Sequence, residues 1–177
     1  MFTNKRLCAQ PLALDQHLCS GKVKSKIFEL RRTEKAKEIH LRILELANTP
    51  RSLVVFGVGI DDKYNYSRVQ RVIWTPLLTK MRSLRLSSPR LVWTTPHVIG
   101  MIKAVPEEYH QDLAHITEYM KQMKQYLDKH HVPVLSSYDV TLGTMSHDGT
   151  HYGSAVNRLL ARVLLHHIQE LQWRHEW

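Results

Sequence analysis

The sequence LVVFGVGIDD, residues 53–62, gives the clearest indication of the fold. Its first six residues are valine-rich and almost wholly apolar, which is typical of a strand buried on both faces of a parallel sheet. A polar loop that contains Gly59, Asp61 and Asn65 follows at once. The stretch therefore predicts a strand over residues 53–58 that ends in a polar loop at the carboxyl edge of the sheet.

Helices and strands alternate on both sides of this stretch. Val23–Leu30 begins by alternating apolar and polar residues, as a strand with one exposed face does. The remaining periodicities predict a helix over residues 33–47, a helix over 67–84 interrupted at Pro76, a strand over 90–94, a helix over 107–130, a strand over 132–135 and a helix over 154–173. This order predicts an α/β fold, a three-layer sandwich with helices on both faces of a parallel sheet.

The chain is expected to hold an irregular N-terminal segment, residues 1–21, and one α/β domain, residues 22–177. No apolar run approaches the roughly 20 residues of a membrane-spanning helix, and the start does not resemble a secretory signal. As written the chain is expected to be cytoplasmic, with the secretory pathway open if its N-terminus is truncated. Cys8 and Cys19 fit no zinc pattern, so two ordinary thiols are expected and a disulfide between them stays open.

The formal net charge is +9, from 25 lysines and arginines against 16 acidic residues. Such a surface attracts polyanions, either nucleic acid or anionic lipid. The basic residues are dense over 22–32 and 80–90, but neither segment interleaves aromatic residues as a base-stacking platform does. The simpler interpretation is that these basic residues lie on solvated faces of the protein. Nucleic-acid binding is therefore the third hypothesis, behind the two that are described below.

Three loops should meet where the parallel strands end: residues 59–66, 94–106 and 136–151. Ligands of such sheets bind outside the carboxyl ends of the strands. His97 lies in the second loop, where it either lines a pocket or is simply solvated. The twelve histidines are scattered, so no metal site is expected, and no motif indicates a cofactor.

Asp148 and His151 lie three residues apart just before the last helix. At a tight turn this spacing lets the carboxylate hold one ring nitrogen of the histidine, which leaves the other nitrogen as a general base. The alternative is that Asp148 caps the helix and His151 is a surface residue. Spacing alone leaves both interpretations open.

The stretch SHDGTHYG, residues 146–153, resembles the last conserved block of the SGNH/GDSL esterase superfamily, in its PC-esterase-like branch. Residues 55–62 resemble the buried strand and Gly-x-Asn-Asp block of the same superfamily, and the order of the two blocks also fits. The resemblance covers roughly Val23 to the C-terminus. It implies an SGNH-hydrolase-like, flavodoxin-like fold, Asp148 as orienting acid, His151 as base, and an acylated glycan or another small ester as substrate.

The sequence also departs from the family pattern. Asp61 stands where the family has an asparagine that donates a hydrogen bond to the oxyanion, and an ionised carboxylate has no donor. Gly59, Asn65 and His97 are further candidates for oxyanion or substrate binding. The family's Gly-Asp-Ser block does not occur in this chain, and Ser20 is only a weak nucleophile candidate.

By order along the chain, Val23–Leu30 corresponds to the family's second strand. The first strand and its serine would then lie upstream of Met1, so we expect a shortened fold. The first hypothesis is therefore an ester hydrolase or O-acyltransferase domain that is truncated or catalytically impaired. The second is a non-catalytic binding module, and the sequence leaves the oligomeric state open.

Overall fold

The computed structural model describes residues 15–18, 23–26, 35–98, 113–146 and 151–176. The chain divides into two compact units, residues 1–31 and residues 32–177. Within the described ranges no helix is long and apolar enough to cross a membrane.

The first unit contains a β-hairpin. Strand β1 (Asp15–Leu18) pairs antiparallel with β2 (Val23–Lys26), with Asp15 opposite Lys26 and Leu18 opposite Val23. The strand predicted at Val23 is present, but its assignment to the parallel sheet is wrong. Only four residues separate β1 from β2, and a parallel pair needs a crossover of a dozen residues or more. The same hairpin places a strand inside the segment for which irregular structure was expected.

The second unit is built on a parallel sheet of three strands in the order β3–β4–β5: Leu53–Phe56, Arg90–Thr94 and Val134–Leu135. Phe56 is in register with Trp93, and Trp93 with Val134. The α/β class with a parallel sheet is thus confirmed. Among the described residues the sheet has only these three strands, and β3 lies at one edge of it.

Eight helical segments accompany this sheet in the described part of the second unit. They are α1 (Ala36–Leu44), a 3₁₀ turn (Ile60–Asp62), α2 (Tyr66–Val69), a π turn (Gln70–Trp74), α3 (Thr75–Ser83), α4 (Leu113–Asp128), α5 (Ser137–Thr141) and α6 (Ser154–Trp173). The π turn joins α2 to α3 directly, so these three segments form one interrupted helix. The interruption predicted at Pro76 is present. Proline has no N–H and its ring crowds the carbonyl four residues earlier, so the helix widens by one residue just before it.

Large aromatic residues fill one face of the sheet. The ring of Phe56 lies 4.6 Å from that of Trp74 in the π turn, and the ring of Trp93 lies 6.1 Å from that of Tyr119 in α4. Trp74, Trp93 and Tyr119 are at most 1% exposed. This face is therefore the core of the second unit.

The opposite face is covered unevenly. Val92 on β4 is 1% exposed, but its register partner Val55 on β3 is 38% exposed. The prediction that the strand at residue 53 is buried on both faces is therefore wrong for β3. An apolar run shows that a strand can be buried, but it does not show which neighbours flank the strand.

The predicted helices are present: the helix predicted over 67–84 runs with its interruption from Tyr66 to Ser83, and α6 has the predicted bounds, Ser154–Trp173. In α4, Ile116, Met123 and Leu127 are buried as expected, whereas Leu113 at its first turn is 49% exposed. Residues 107–112 of that predicted helix lie outside the described residues. The predicted loop 136–151 contains α5, which Ser136 caps by accepting a hydrogen bond from the Asp139 backbone N–H at 3.1 Å.

Candidate active site at the carboxyl edge of the sheet

The loop after β3 folds into a compact turn. The Gly59 carbonyl accepts hydrogen bonds from the backbone N–H groups of Tyr64 at 2.8 Å and Asp62 at 3.2 Å. Lys63 and Tyr64 both adopt positive φ angles, 51° and 53°. Two successive non-glycine residues in the left-handed region are costly, so the surrounding contacts must hold this loop in place.

Tyr119 of α4 supplies the main contact beneath this loop. Its hydroxyl donates to the Val58 carbonyl at 2.9 Å, and its ring lies 5.5 Å from that of Tyr64. Gly59 has a φ of 143°, and a Cβ at this position would lie 3.0 Å from the Tyr119 ring. Glycine is therefore required where the loop passes over the tyrosine. Burial and the charge of Asp61 raise the pKa of Tyr64 to about 12, so both tyrosines stay neutral.

Two polar side chains fix the far end of the loop. The Asp62 carboxylate, whose side chain is 5% exposed, pairs with Arg68 Nε at 3.1 Å. Asn65 caps α2 by accepting a hydrogen bond from the Arg68 backbone N–H at 2.9 Å through Oδ1. The amide nitrogen of Asn65 is the part of this side chain that can donate to a ligand.

A cleft of about 680 Å³ opens between this loop and α4. Asp61, Lys63, Asn65 and Tyr66 line it from the loop side, and Glu118 and Gln122 line it from the helix. The lining combines hydrogen-bond acceptors, donors and three tyrosines, Tyr64, Tyr66 and Tyr119. Such a cleft suits a small polar ligand rather than an apolar one.

The loops after β4 and β5 meet at a second place. The hydroxyl of Tyr152 donates to the Val98 carbonyl, and the Val98 backbone N–H donates to Thr141 Oγ1 at 2.9 Å. The ring of His97 lies 5.5 Å from that of Tyr152, edge to face. These contacts attach the start of the last helix to the loop after β4.

Burial lowers the pKa of His97 below its usual 6.5, and its Nδ1 has no hydrogen-bond partner among the described residues. Neutral imidazole is therefore the favoured form in the fold. The expectation of a purely solvated loop histidine does not apply, because this ring is half-buried.

His151 directly precedes Tyr152 and is exposed. The structure therefore places it beside the loop that carries His97. Asp148 and Ser20, the predicted acid and the weak nucleophile candidate, lie outside the described residues. Asp61 and Asn65 line the cleft, and its described lining contains neither His97 nor His151.

Sequence reasoning did not identify three residues that build this edge: Tyr119, Thr141 and Tyr152. Each lies on an apolar helix face or next to a motif, where its hydroxyl gives no sign of its partner. The block SHDGTHYG, residues 146–153, contains Tyr152, and its place in that block was the one available signal. No group of three His, Cys, Asp or Glu side chains within the described ranges is arranged to hold a metal ion.

No protein-family model matches the chain, and no curated protein matches it in sequence. Solved structures do share its fold. An acetyl xylan esterase aligns with a TM-score of 0.52 at 16% identity, over 75% of this chain and 75% of that one. The aryl esterase of M. smegmatis aligns with a TM-score of 0.58 at 20% identity, over 77% of this chain and 67% of that one.

A protein of Agrobacterium tumefaciens described as an arylesterase aligns with a TM-score of 0.58 at 15% identity, over 88% of this chain and 73% of that one. These three structures are described as esterases. The chain has the α/β fold of SGNH/GDSL-type hydrolases, as the sequence predicted.

Proposed function

We propose that this chain is an SGNH-type ester hydrolase domain in which Asp148 orients His151 as the general base. The observation that carries the proposal is the position of His151. His151 lies three residues before α6 and directly precedes Tyr152, whose hydroxyl contacts the loop after β4 at the carboxyl edge of the sheet, in a fold that the chain shares with esterases. Ligands of parallel α/β sheets bind at this edge.

The substrate we propose is an acylated glycan or another small ester. The cleft beside the β3 loop has room for a small polar molecule, and its lining includes Asp61, Asn65 and Tyr66. Asp61 accepts hydrogen bonds from hydroxyl groups but cannot donate to an oxyanion while it is ionised. The Asn65 amide is the donor that we assign to the oxyanion. Because the described lining of the cleft does not include His151, the proposal requires the ester group to extend from the cleft towards the loop after β4.

The chain contains no Gly-Asp-Ser block, so we propose that its catalysis is impaired. In the remaining reaction His151 takes a proton from water as the water oxygen attacks the ester carbonyl carbon. The tetrahedral intermediate then expels the alcohol, which receives that proton back from His151. General-base assistance of this kind contributes about 10²–10⁴-fold, whereas losing the serine of a triad costs about 10⁶-fold.

Hydrolysis of p-nitrophenyl acetate by the purified chain tests the role of His151. His151→Ala is expected to reduce the slow hydrolysis at least about 100-fold, towards the rate without protein, and Asp148→Asn to reduce it less. His166→Ala is the matched control, because His166 is an exposed histidine on α6 that pairs with Glu170 at 3.6 Å. Hydrolysis that survives His151→Ala unchanged contradicts the proposed base.

A fluorophosphonate probe tests the impairment separately. We expect no serine to be labelled. Labelling at Ser20 that disappears in His151→Ala would instead reveal a complete nucleophile and base within this chain, and the impairment would be wrong.

The second candidate is a non-catalytic binding module, favoured by the exposed Asp61 in the position of the oxyanion donor. In that case acylated saccharides bind the cleft without turnover. Asp61→Asn would then alter the dissociation constant, and His151→Ala would leave both the binding and the absence of hydrolysis unchanged.

A further inference from the structure

The edge of the sheet opposite the candidate active site gathers the ends of three helices. Arg82 near the end of α3 donates from Nη2 to Nδ1 of His130, just beyond α4, at 3.1 Å. Arg90 at the start of β4 pairs with Glu176, beyond α6, at 3.5 Å. A cavity of about 180 Å³ is lined jointly by residues of α3, by His130 and by His167 of α6. These contacts define one continuous surface, here called the basic edge.

Cations outnumber carboxylates on the described part of the basic edge. Its lysines and arginines are Lys80, Arg82, Arg85, Arg90, Lys129 and Arg174. Its carboxylates are Asp128, Glu170 and Glu176, which pair with Lys124 at 2.7 Å, His166 at 3.6 Å and Arg90 at 3.5 Å. The pKa of His130 is lowered, first by burial and then by the nearby Arg82, His131 and Lys129. This effect shows that these basic residues lie close together.

Helix stabilisation explains only part of this charge. Cations in the last turn of a helix interact favourably with its dipole, and Lys80 and Arg82 occupy that position in α3. The last turns of α4 and α6 hold no basic residue. Lys129 and Arg174 directly follow those helix ends and also interact favourably with the dipole, whereas Arg90 lies in β4 and does not.

Two large apolar side chains are exposed among these cations. Leu84, between Arg82 and Arg85, is 48% exposed, and Trp173, next to Arg174, is 67% exposed. Tryptophan and leucine surrounded by lysine and arginine are typical of protein surfaces that lie on a membrane interface.

We infer that the basic edge binds an anionic lipid surface. The cations contact the charged headgroups, and Leu84 and Trp173 enter the headgroup layer. Nucleic acid would also attract the cations, but an exposed aliphatic side chain such as Leu84 contributes little to phosphate contacts or base stacking. The combination of charge and exposed apolar groups therefore favours lipid.

Co-sedimentation with vesicles tests the charge. The full chain is expected to bind phosphatidylcholine vesicles that contain phosphatidylserine, to dissociate as salt is added, and not to bind phosphatidylcholine alone. Arg85→Gln/Arg174→Gln should weaken binding about 25-fold, at about fivefold for each cation removed. Arg158→Gln/Arg162→Gln, on the first half of α6, removes the same net charge elsewhere and should change binding less than about twofold.

Substitution of the exposed apolar side chains tests the choice of lipid. Leu84→Ser and Trp173→Ala should each weaken vesicle binding most clearly at raised salt, where the attraction between charges is screened. Leu159→Ser is the control, because Leu159 is 46% exposed on α6 outside the basic edge.

Three results overturn the inference. The first is that the two arginine double variants lose equal affinity, which leaves only the net charge. The second is that Leu84→Ser and Trp173→Ala bind vesicles as the unaltered chain does. The third is that polyuridylate binds more tightly than the vesicles and competes with them, which makes the partner a nucleic acid.

Discussion

Replacing Gly59 by alanine is expected to destabilise the domain by about 4 kcal/mol, because two separate costs fall on one position. The backbone at Gly59 has φ 143° and ψ −41°, a conformation that residues with a Cβ rarely adopt. Holding such a residue there costs about 1–3 kcal/mol. The added Cβ would also lie 3.0 Å from the buried Tyr119 ring, and overpacking of this kind costs about 1–3 kcal/mol.

Urea unfolding followed by tryptophan fluorescence measures this cost. Trp74 and Trp93 are fully buried and report on the core beside Tyr119. In a thermal experiment a loss of about 4 kcal/mol corresponds to a decrease of roughly 8–16 °C in Tm for a domain of this size. Gly153→Ala is the control for added bulk, since Gly153 has extended backbone and no atom within 4 Å of an added Cβ; because Gly153 is the N-cap of α6, the substitution should cost no more than about 1 kcal/mol.

A double substitution separates the two costs. In a Tyr119→Leu background the ring is absent, so Gly59→Ala should cost only the backbone strain of about 1–3 kcal/mol. Two results would contradict this explanation. Gly59→Ala could lower the free energy of unfolding no more than Gly153→Ala does, or its effect could be the same with and without the Tyr119 ring.

Two further predictions concern the loops after β4 and β5. Thr141→Val keeps the shape of a fully buried side chain but leaves the Val98 N–H without its acceptor, so the free energy of unfolding should fall by about 1–3 kcal/mol; a loss below about 0.5 kcal/mol in urea would contradict this. Because burial lowers the pKa of His97, the unfolded chain binds a proton below pH 6.5 that the folded chain does not, so this residue contributes a loss of stability as the pH falls below 6.5. Between pH 7.5 and about 5, the free energy of unfolding of His97→Gln should fall less steeply than that of the unaltered chain. Equal slopes in the two proteins would show that His97 does not cause the loss of stability.

The sequence predicted those parts of the fold that depend on local pattern. Strand β4 and helix α6 have the predicted bounds, because each is bordered by clear changes of periodicity. The interruption before Pro76 follows from the chemistry of one residue. The antiparallel pairing of Val23–Lys26 and the exposure of Val55 were predicted wrongly, because both depend on which segments become neighbours in space.

In the candidate site, too, the features set by local sequence were predicted and those set by distant neighbours were not. The motif spacing predicted His151 just before the last helix, and the alternation of elements predicted the β3 loop at the carboxyl edge of the sheet. The support beneath that loop could not be predicted, since Tyr119 lies more than fifty residues away in sequence and acts through a hydroxyl on an otherwise apolar helix face. The expected contact between Asp148 and His151 stays a prediction.

If Asp148 orients the His151 ring as we propose, the tautomer of that ring shows it. Two-bond ¹H–¹⁵N spectra of the full chain at alkaline pH distinguish the neutral form protonated at Nδ1 from that protonated at Nε2. We expect a single tautomer of His151 in the unaltered chain and a mixture of the two tautomers in Asp148→Asn, because a carboxylate fixes which ring nitrogen carries the proton. The same mixture of tautomers in both proteins would contradict it.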